Sequence, residues 1–143
     1  MKRKGKLFFY RKDAGKVFVL LGQRENKGEH FWWLPGGGAD EGETVFEGAV
    51  RELSEELYPT VEIKAAVDRF STSGKEPEAF QYKTSISENT VFFVEVKQDS
   101  DVLPEIRDEF EKMQWFPVNS FPGNMSREFR FFKPGMEAFL RSL

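Results

Sequence analysis

The sequence predicts an α+β fold of one domain (residues 1–143), in which a mixed β-sheet is flanked by helices. Three observations lead to this prediction. The chain of 143 residues has the usual length of one domain, and no linker, internal repeat or low-complexity tract divides it. Short runs of β-branched and aromatic residues surround one strongly helical stretch. Hydrophobic residues make up 39% and charged residues 31%, a balance typical of a globular protein with a buried core.

The first elements are predicted to form a β-hairpin. Two β-rich runs, Lys6 to Arg11 and Val17 to Arg24, are joined by Asp13-Ala14-Gly15-Lys16, which is typical of a tight turn. The aromatic run Phe31-Trp32-Trp33 follows. It ends at Leu34-Pro35-Gly36-Gly37-Gly38, where proline and glycine interrupt regular structure.

A helix is predicted from Thr44 to Leu57. Thr44 and Glu47, three residues later, fit a capping box. On a helical wheel one side is apolar and is expected to face the core, and its members are Phe46, Ala49, Val50, Leu53 and Leu57. Glu52, Glu55 and Glu56 fall on another side at i, i+3 and i+4.

The second half is predicted to contain three strands and a short terminal helix. The strands are Val61 to Val67, Ala79 to Thr84 and Val91 to Lys97. Pro134 is expected to open the last helix, which includes Met136, Phe139 and Leu140.

Composition excludes several kinds of site. The chain has no cysteine and one histidine, so disulfides, thiolate metal sites, a cysteine nucleophile and a histidine-rich metal site are excluded. The apolar run near the start, Leu7 to Tyr10, is too short for a signal peptide or a membrane span. We therefore expect a cytoplasmic protein with no membrane partner.

The three glutamates on one side of the helix predict a site for a cation. Carboxylates at this spacing repel one another by about 0.2–0.5 kcal/mol per pair in water. Mg²⁺ or Mn²⁺, which prefer oxygen ligands, would relieve that repulsion. A solvated acidic face is the alternative for an isolated cluster of this kind. The basic N-terminal part, with nine Lys or Arg against three acids in residues 1–30, would suit phosphate groups beside the cation.

The surrounding spacing resembles the signature of the Nudix hydrolases. The match runs Gly37-x5-Glu43-x7-Arg51-Glu52-Leu53-x-Glu55-Glu56. The preceding Trp32-Trp33-Leu34-Pro35-Gly36-Gly37 and Leu20-Leu21-Gly22-Gln23-Arg24 also resemble the family, as does an E-x5-W element from Glu109 to Trp115. The resemblance covers most of residues 6–120 and implies a Nudix-type sandwich.

The resemblance also implies a metal site. It assigns Glu52 and Glu56 as ligands of Mg²⁺ or Mn²⁺, and the carbonyl of Gly36 as an additional ligand. Glu55 is implied as a further ligand or as the general base. Glu109 is implied as an outer ligand or a base, with a solvated loop acid as the alternative.

Other residues are expected to support this site or to bind substrate. Arg51 and Glu43 are expected to hold the glycine-rich loop through a two-pronged contact. Gly37 and Gly38 are expected to serve backbone conformations that a side chain forbids. The resemblance implies that Arg24 contacts phosphate, with an exposed arginine at the end of a strand as the alternative. Among the aromatic residues, Trp32 and Tyr82, with Trp33 beside them, are candidates for stacking on a base, and burial in the core is the alternative.

One position departs from the family pattern. The signature ends in glycine and an aliphatic residue, and here Tyr58 and Pro59 stand in their place. Glycine there normally closes the helix in a left-handed turn, which tyrosine disfavours. We therefore expect this helix to end in another way, with Pro59 preventing its continuation.

The expected function is hydrolysis of a phosphoanhydride bond in a nucleoside diphosphate linked to a group X. Pyrophosphohydrolysis of (d)NTPs is the first candidate, and a dinucleoside polyphosphate or an ADP-sugar is the alternative substrate. A non-catalytic nucleotide-binding module is the alternative of another class. Nucleic acid is not expected as a partner, because the pI is about 5.4 and no aromatic–basic repeat is present. A monomer and a homodimer both fit the sequence.

Overall fold

The computed structural model describes residues 1–143 and contains nine strands and three helices. The strands are β1 (Lys2–Asp13), β2 (Lys16–Asn26), β3 (Glu29–Trp33), β4 (Gly36–Gly38), β5 (Leu57–Tyr58), β6 (Ala79–Lys83), β7 (Ser87–Glu95), β8 (Glu105–Ile106) and β9 (Lys112–Pro117). The helices are α1 (Val45–Glu56), α2 (Val61–Ser73) and α3 (Phe129–Arg141). None of these helices combines the length and the apolar character needed to cross a membrane.

Strand β1 lies at the centre of the main sheet, whose strand order is β3-β2-β1-β7-β6. It pairs in parallel with β7 and antiparallel with β2 and β4, and β9 adds to β2. A separate two-stranded ladder joins β5 to β8. The mixed sheet with helices around it confirms the predicted fold class.

Alternation along β1 produces two cores, one on each face of the sheet. Leu7 and Phe9 point to the face covered by α1 and α2. Phe8 and Tyr10 point to the other face, where they pack against α3. Aromatic rings dominate the second core, so most of the 16 phenylalanines serve packing.

Helix α1 begins and ends for local reasons. The capping box is present, because the Thr44 hydroxyl accepts from the Glu47 N–H while the Glu47 carboxylate accepts from the Thr44 N–H. At the other end Leu57 has extended backbone angles and leads directly into β5. The helix therefore stops without a left-handed residue, as expected from Tyr58 and Pro59.

The strand predicted at Val61 to Val67 is wrong, since this segment opens α2. The alternation of apolar residues suggested a strand, but Ile63, Ala66 and Val67 are the buried positions, which is helical spacing. The Thr60 hydroxyl caps the start by accepting from the Ile63 N–H, and Gly74 ends the helix with a left-handed φ of 71°.

The prediction that Pro134 opens the last helix is also wrong. Helix α3 begins at Phe129, and Pro134 lies inside it. Proline removes the hydrogen bond to the carbonyl four residues earlier, that of Arg130. Arg130 is exposed, so solvent can satisfy this carbonyl and the helix continues.

The close approach of α1 to β1 at Gly5 leads to a stability prediction. A Cβ atom at Gly5 would lie 2.7 Å from the carbonyl oxygen of Val45 and 3.0 Å from the Cβ of Ala49. Gly5→Ala should therefore push the helix off the sheet and lower the free energy of unfolding by about 2 kcal/mol in urea titration. Gly123→Ala, where a Cβ meets nothing within 4 Å, is the control. Equal unfolding midpoints for the two variants would contradict this account.

Candidate active site

The glycine-rich strand β4 lies directly against the acidic side of α1. It pairs with Lys4 to Lys6 of β1, which fixes its position. A Cβ at Gly37 would lie 2.7 Å from the carboxyl carbon of Glu52, so a side chain there would displace this carboxylate. Gly36 has a φ of 131°, a conformation that side chains rarely adopt. The glycines thus allow the backbone of β4 to approach the carboxylates of α1.

Glu56 is the most buried of the three glutamates, with 1% of its surface exposed. Its Oε1 accepts from the Gly36 N–H at 2.9 Å, and its Oε2 pairs with Arg24. Burial raises the pKa of the Glu56 carboxyl to about 7, against the opposing effects of Arg24 and the Gly36 N–H. The acidic side of the helix is therefore not one solvated face, since it continues into the protein.

Arg24 connects α1 to the segment before β9. Its guanidinium contacts Glu56 and lies 2.8 Å from the Oε2 of Glu109, and it lies over the ring of Phe110. Glu109 has a φ of 73°, unusual for a residue with a side chain, and its N–H donates to the Asp108 carboxylate. The structure thus brings together Arg24, Glu56 and Glu109, which are far apart in the sequence.

Arg51 holds the loop between β4 and α1. Its Nε and Nη2 donate to the two oxygens of Glu43 at 2.9 and 3.1 Å, and Nη2 also donates to the Gly38 carbonyl. Nη1 donates to Glu55 at 3.1 Å and to Glu52 at 3.4 Å. These contacts raise the pKa of Arg51 and hold that of Glu43 below its ordinary value.

The donors around α1 suit a hard cation, although they do not converge on one point. No group of three acidic or histidine side chains is arranged to hold a metal ion, because Arg24 engages Glu56 and Arg51 engages Glu52 and Glu55. Burial and the charge of Glu55 raise the pKa of Glu52. A partly desolvated carboxylate of this kind gains from a nearby cation, so the chemistry of the donor set fits Mg²⁺ or Mn²⁺.

Comparison with known proteins agrees with this architecture. The NUDIX domain profile matches residues 2–137. The chain belongs to the Nudix family. It is 34% identical over 115 residues to Nudix hydrolase 6 of Arabidopsis thaliana, a match that covers 73% of this chain and 36% of that protein. The chain thus corresponds to little more than a third of that relative's length.

Solved Nudix structures share the fold at lower identity. An Ap4A hydrolase binary complex from C. elegans is 23% identical with a TM-score of 0.65, and the match covers 100% of both chains. The M. smegmatis Nudix hydrolase RenU is 15% identical with a TM-score of 0.70, covering 98% of this chain and 86% of that one. The bifunctional NMN adenylyltransferase/ADP ribose pyrophosphatase of Francisella tularensis, complexed with AMP and a Mn ion, is 18% identical with a TM-score of 0.65, covering 96% and 41%.

Lys6 was not among the residues singled out from the sequence of this Nudix chain, yet it lies beside the glycine-rich loop. Its Nζ donates to the Gly36 carbonyl at 3.2 Å, and only 9% of the residue is exposed. Burial, with a smaller contribution from Arg24, lowers the pKa of Lys6 to about 8. The only sequence signal was a lysine directly before the apolar run Leu7 to Tyr10, in alternation with Phe8 and Tyr10.

The candidate stacking residues lie in the second core. Trp32 is 6% exposed and packs edge-on against Phe116, 4.9 Å between ring centroids. Tyr82 is 8% exposed, and its hydroxyl donates to Glu128 at 2.7 Å. Burial raises the pKa of the Tyr82 phenol, and the hydrogen bond to Glu128 adds to this effect. Neither ring presents an open face in this structure.

The contact between Glu43 and Arg51 predicts a pH-dependent stability. Because the folded-state pKa of Glu43 lies below 4.5, its contribution is present above pH 4.5 and is lost as the pH falls through the lowered value. Glu43→Gln should therefore lower the thermal midpoint at pH 7, and its midpoint should approach that of the wild type in acid. Differential scanning calorimetry against pH measures this, with the exposed Glu41→Gln as control. A difference that is the same at every pH would contradict the assignment.

Proposed function

We propose that this Nudix protein hydrolyses a pyrophosphate bond in a nucleoside diphosphate linked to a group X, with a divalent cation. The observation that carries the proposal is the buried Glu56, tied to the Gly36 N–H and Arg24 beside two further glutamates. Members of the family generally need a divalent metal and act on pyrophosphate bonds. A bound cation would neutralise phosphate charge and make water a better nucleophile.

The residues of this chain supply binding and orientation. Glu52 and Glu56, with the Gly36 carbonyl, would hold the cation. Glu55, which is 56% exposed and pairs with Arg51, would act as a further ligand or take the proton of the attacking water. Water adds to one phosphorus while the P–O bond to the bridging oxygen breaks, and the leaving phosphate group carries the electron pair.

Basic side chains next to Glu56 favour a polyphosphate substrate. Arg24 pairs with Glu56, and Lys6 binds the carbonyl of Gly36, whose N–H donates to Glu56. Both basic groups can contact phosphate oxygens once a metal neutralises the carboxylates. Glu109 pairs with the same guanidinium of Arg24 as Glu56 does, which supports a role for Glu109 as an outer ligand or a base. These contacts support binding of the phosphate chain by the same elements that carry the acids.

Within this class we propose (d)NTPs as the first candidate substrate, releasing NMP and pyrophosphate. A dinucleoside polyphosphate is the second, because the match to the C. elegans Ap4A hydrolase covers both chains completely. An ADP-sugar is the third, suggested by the ADP ribose pyrophosphatase of Francisella tularensis. A bound nucleotide without turnover would instead indicate a sensor.

The test is a substrate panel with purified protein and Mg²⁺ or Mn²⁺. Eight common (d)NTPs, dinucleoside polyphosphates and ADP-ribose are assayed for released phosphate, pyrophosphate and nucleotides by chromatography. We expect turnover on at least one compound, abolished by EDTA and restored by added metal. Absence of turnover on the whole panel, with nucleotide still bound in calorimetry, would reject hydrolysis in favour of a sensor.

A further inference from the structure

A large groove lies between the β2–β3 hairpin and the segment before α3. It has a volume of about 740 Å³, within the range of small-molecule sites. We name it the hairpin groove and define it by residues Asn26–Phe31 on one wall and Asn124–Glu128 on the other. None of the residues expected to bind a base belongs to it, since Trp32, Trp33 and Tyr82 lie in the core.

The groove is built on regular backbone. The second wall adds to the free edge of β3, because the Trp32 N–H donates to the Asn124 carbonyl and the Ser126 N–H donates to the Trp32 carbonyl. The Asn124 side chain donates to the His30 carbonyl at 3.0 Å. Both walls are therefore fixed to the sheet, which gives a ligand a preformed surface.

The chemistry of the lining suits a nucleoside. Phe31 is half-buried. It packs against the second core without stacking on a neighbouring ring, and it also lines the groove, where the exposed part of its ring can meet a base. The lining also offers amide, hydroxyl and carboxylate groups that can bind base edges and ribose hydroxyls, among them Asn26, Ser126, Glu29 and Glu128. Lys27, His30 and Arg127 add basic groups to the same lining.

The groove also adjoins the groups that would bind phosphate. Phe31 is the cross-strand partner of Arg24, which contacts Glu56, and paired Cα atoms lie about 5 Å apart. Lys6 donates to the carbonyl of Gly36, the residue whose N–H is bound by Glu56, so a second basic group lies beside the same acid. A nucleotide with its base at Phe31 would thus direct its phosphates toward Arg24 and the acids.

We propose that the hairpin groove binds the nucleoside monophosphate part of the substrate, with Phe31 as the ring on which the base stacks. This inference rests on the proposed function for the direction of the phosphates, but binding can be measured without turnover. Phe31 is then a binding residue that the family signature does not contain. Glu29 and Arg127 form an exposed ion pair, 4.0 Å between nitrogen and oxygen, at the mouth of the groove. An entering ligand would break this ion pair.

The experiment measures binding of AMP, GMP, CMP and UMP to the wild-type protein with Mg²⁺ by calorimetry, and uses inorganic pyrophosphate as a probe without a base. For the best monophosphate, Phe31→Ala should weaken binding about tenfold, as expected for loss of one base–ring stack, while pyrophosphate binding stays unchanged. Phe31→Tyr should retain the affinity. Phe70→Ala, which removes a half-buried ring from α2 on the other face, is the matched control.

A second measurement does not depend on any variant. Isotope-edited NOEs should connect the Phe31 ring protons to the base protons of the bound monophosphate. Unchanged monophosphate affinity in Phe31→Ala, or NOEs only to residues outside the groove, would overturn the assignment even if the protein hydrolyses nucleotides. Binding in the groove without hydrolysis of any panel compound would uphold the assignment while rejecting the proposed function.

Discussion

Glu52→Gln and Glu56→Gln should each lower turnover on the best panel substrate by at least about a hundredfold, because each removes a charged oxygen from the proposed cation site. Both variants should still fold. Glutamine at position 56 keeps an oxygen that can accept from the Gly36 N–H, and Glu52 is only partly buried. Steady-state kinetics at several Mg²⁺ concentrations measure the effect.

The dependence of turnover on the Mg²⁺ concentration distinguishes a metal ligand from a general base. Loss of a ligand should raise the Mg²⁺ concentration needed for half-maximal activity, whereas loss of a base should lower turnover at every metal concentration. Glu55→Gln, examined in the same way, decides between the two roles left open for that residue. Glu62→Gln, an exposed acid on α2, is the control. Near-normal turnover in both Glu52→Gln and Glu56→Gln would reject the active-site assignment.

The sequence was sufficient for the class of fold and for the helix that carries the acids. Capping residues, apolar spacing and glycines act locally, so Thr44, Glu47 and the apolar side of α1 could be placed without long-range information. The capped start and the stop at Tyr58 and Pro59 followed from the same local rules.

The two wrong secondary-structure predictions arose where the same sequence pattern is compatible with two structures. Val61 to Val67 contains apolar residues at both helical and alternating spacing, and the helix is selected by the Thr60 cap, the left-handed Gly74 and packing against the sheet. Pro134 is favoured at a helix start, but the aromatic core on the α3 face extends the helix back to Phe129. Tertiary contacts decided both cases.

The candidate site depended on contacts between distant residues, which a single sequence does not show. On a helical wheel Glu52, Glu55 and Glu56 form one acidic side. In the structure Glu56 is buried, whereas Glu55 is exposed. Lys6 reaches the loop only because β1 pairs with β4. The hairpin groove likewise depends on residues 124–126 pairing with β3, and nothing local in either segment indicates that pairing.

Arg24→Met should produce the largest pH-dependent loss of stability in this protein. Glu56 is almost fully buried, and Arg24 is its charged partner. Methionine can keep the contact with the ring of Phe110 while removing the charge. Without Arg24, an ionised Glu56 would be buried with less compensation, which costs about 3 kcal/mol when it cannot take a proton.

The sign of the pH dependence follows from the direction of the pKa shift. The pKa of Glu56 is raised from 4.5 to about 7 on folding, so its ionisation lowers stability as the pH rises through this range. Removing Arg24 should raise the folded-state pKa further and extend the loss above pH 7. We expect Arg24→Met to differ little from the wild type near pH 5, where Glu56 keeps its proton, and to differ most near pH 8.

Urea unfolding between pH 5 and 8, with and without Mg²⁺, measures this difference. A cation bound by Glu56 would replace the lost charge, so Mg²⁺ should stabilise Arg24→Met more than it stabilises the wild type. Glu109→Gln is the matched control, because it removes the more exposed partner of the same guanidinium and should cost less than about 1 kcal/mol. If Arg24→Met lowered the free energy of unfolding equally at every pH and with or without Mg²⁺, Arg24 would act through packing alone and not as the counter-ion of Glu56.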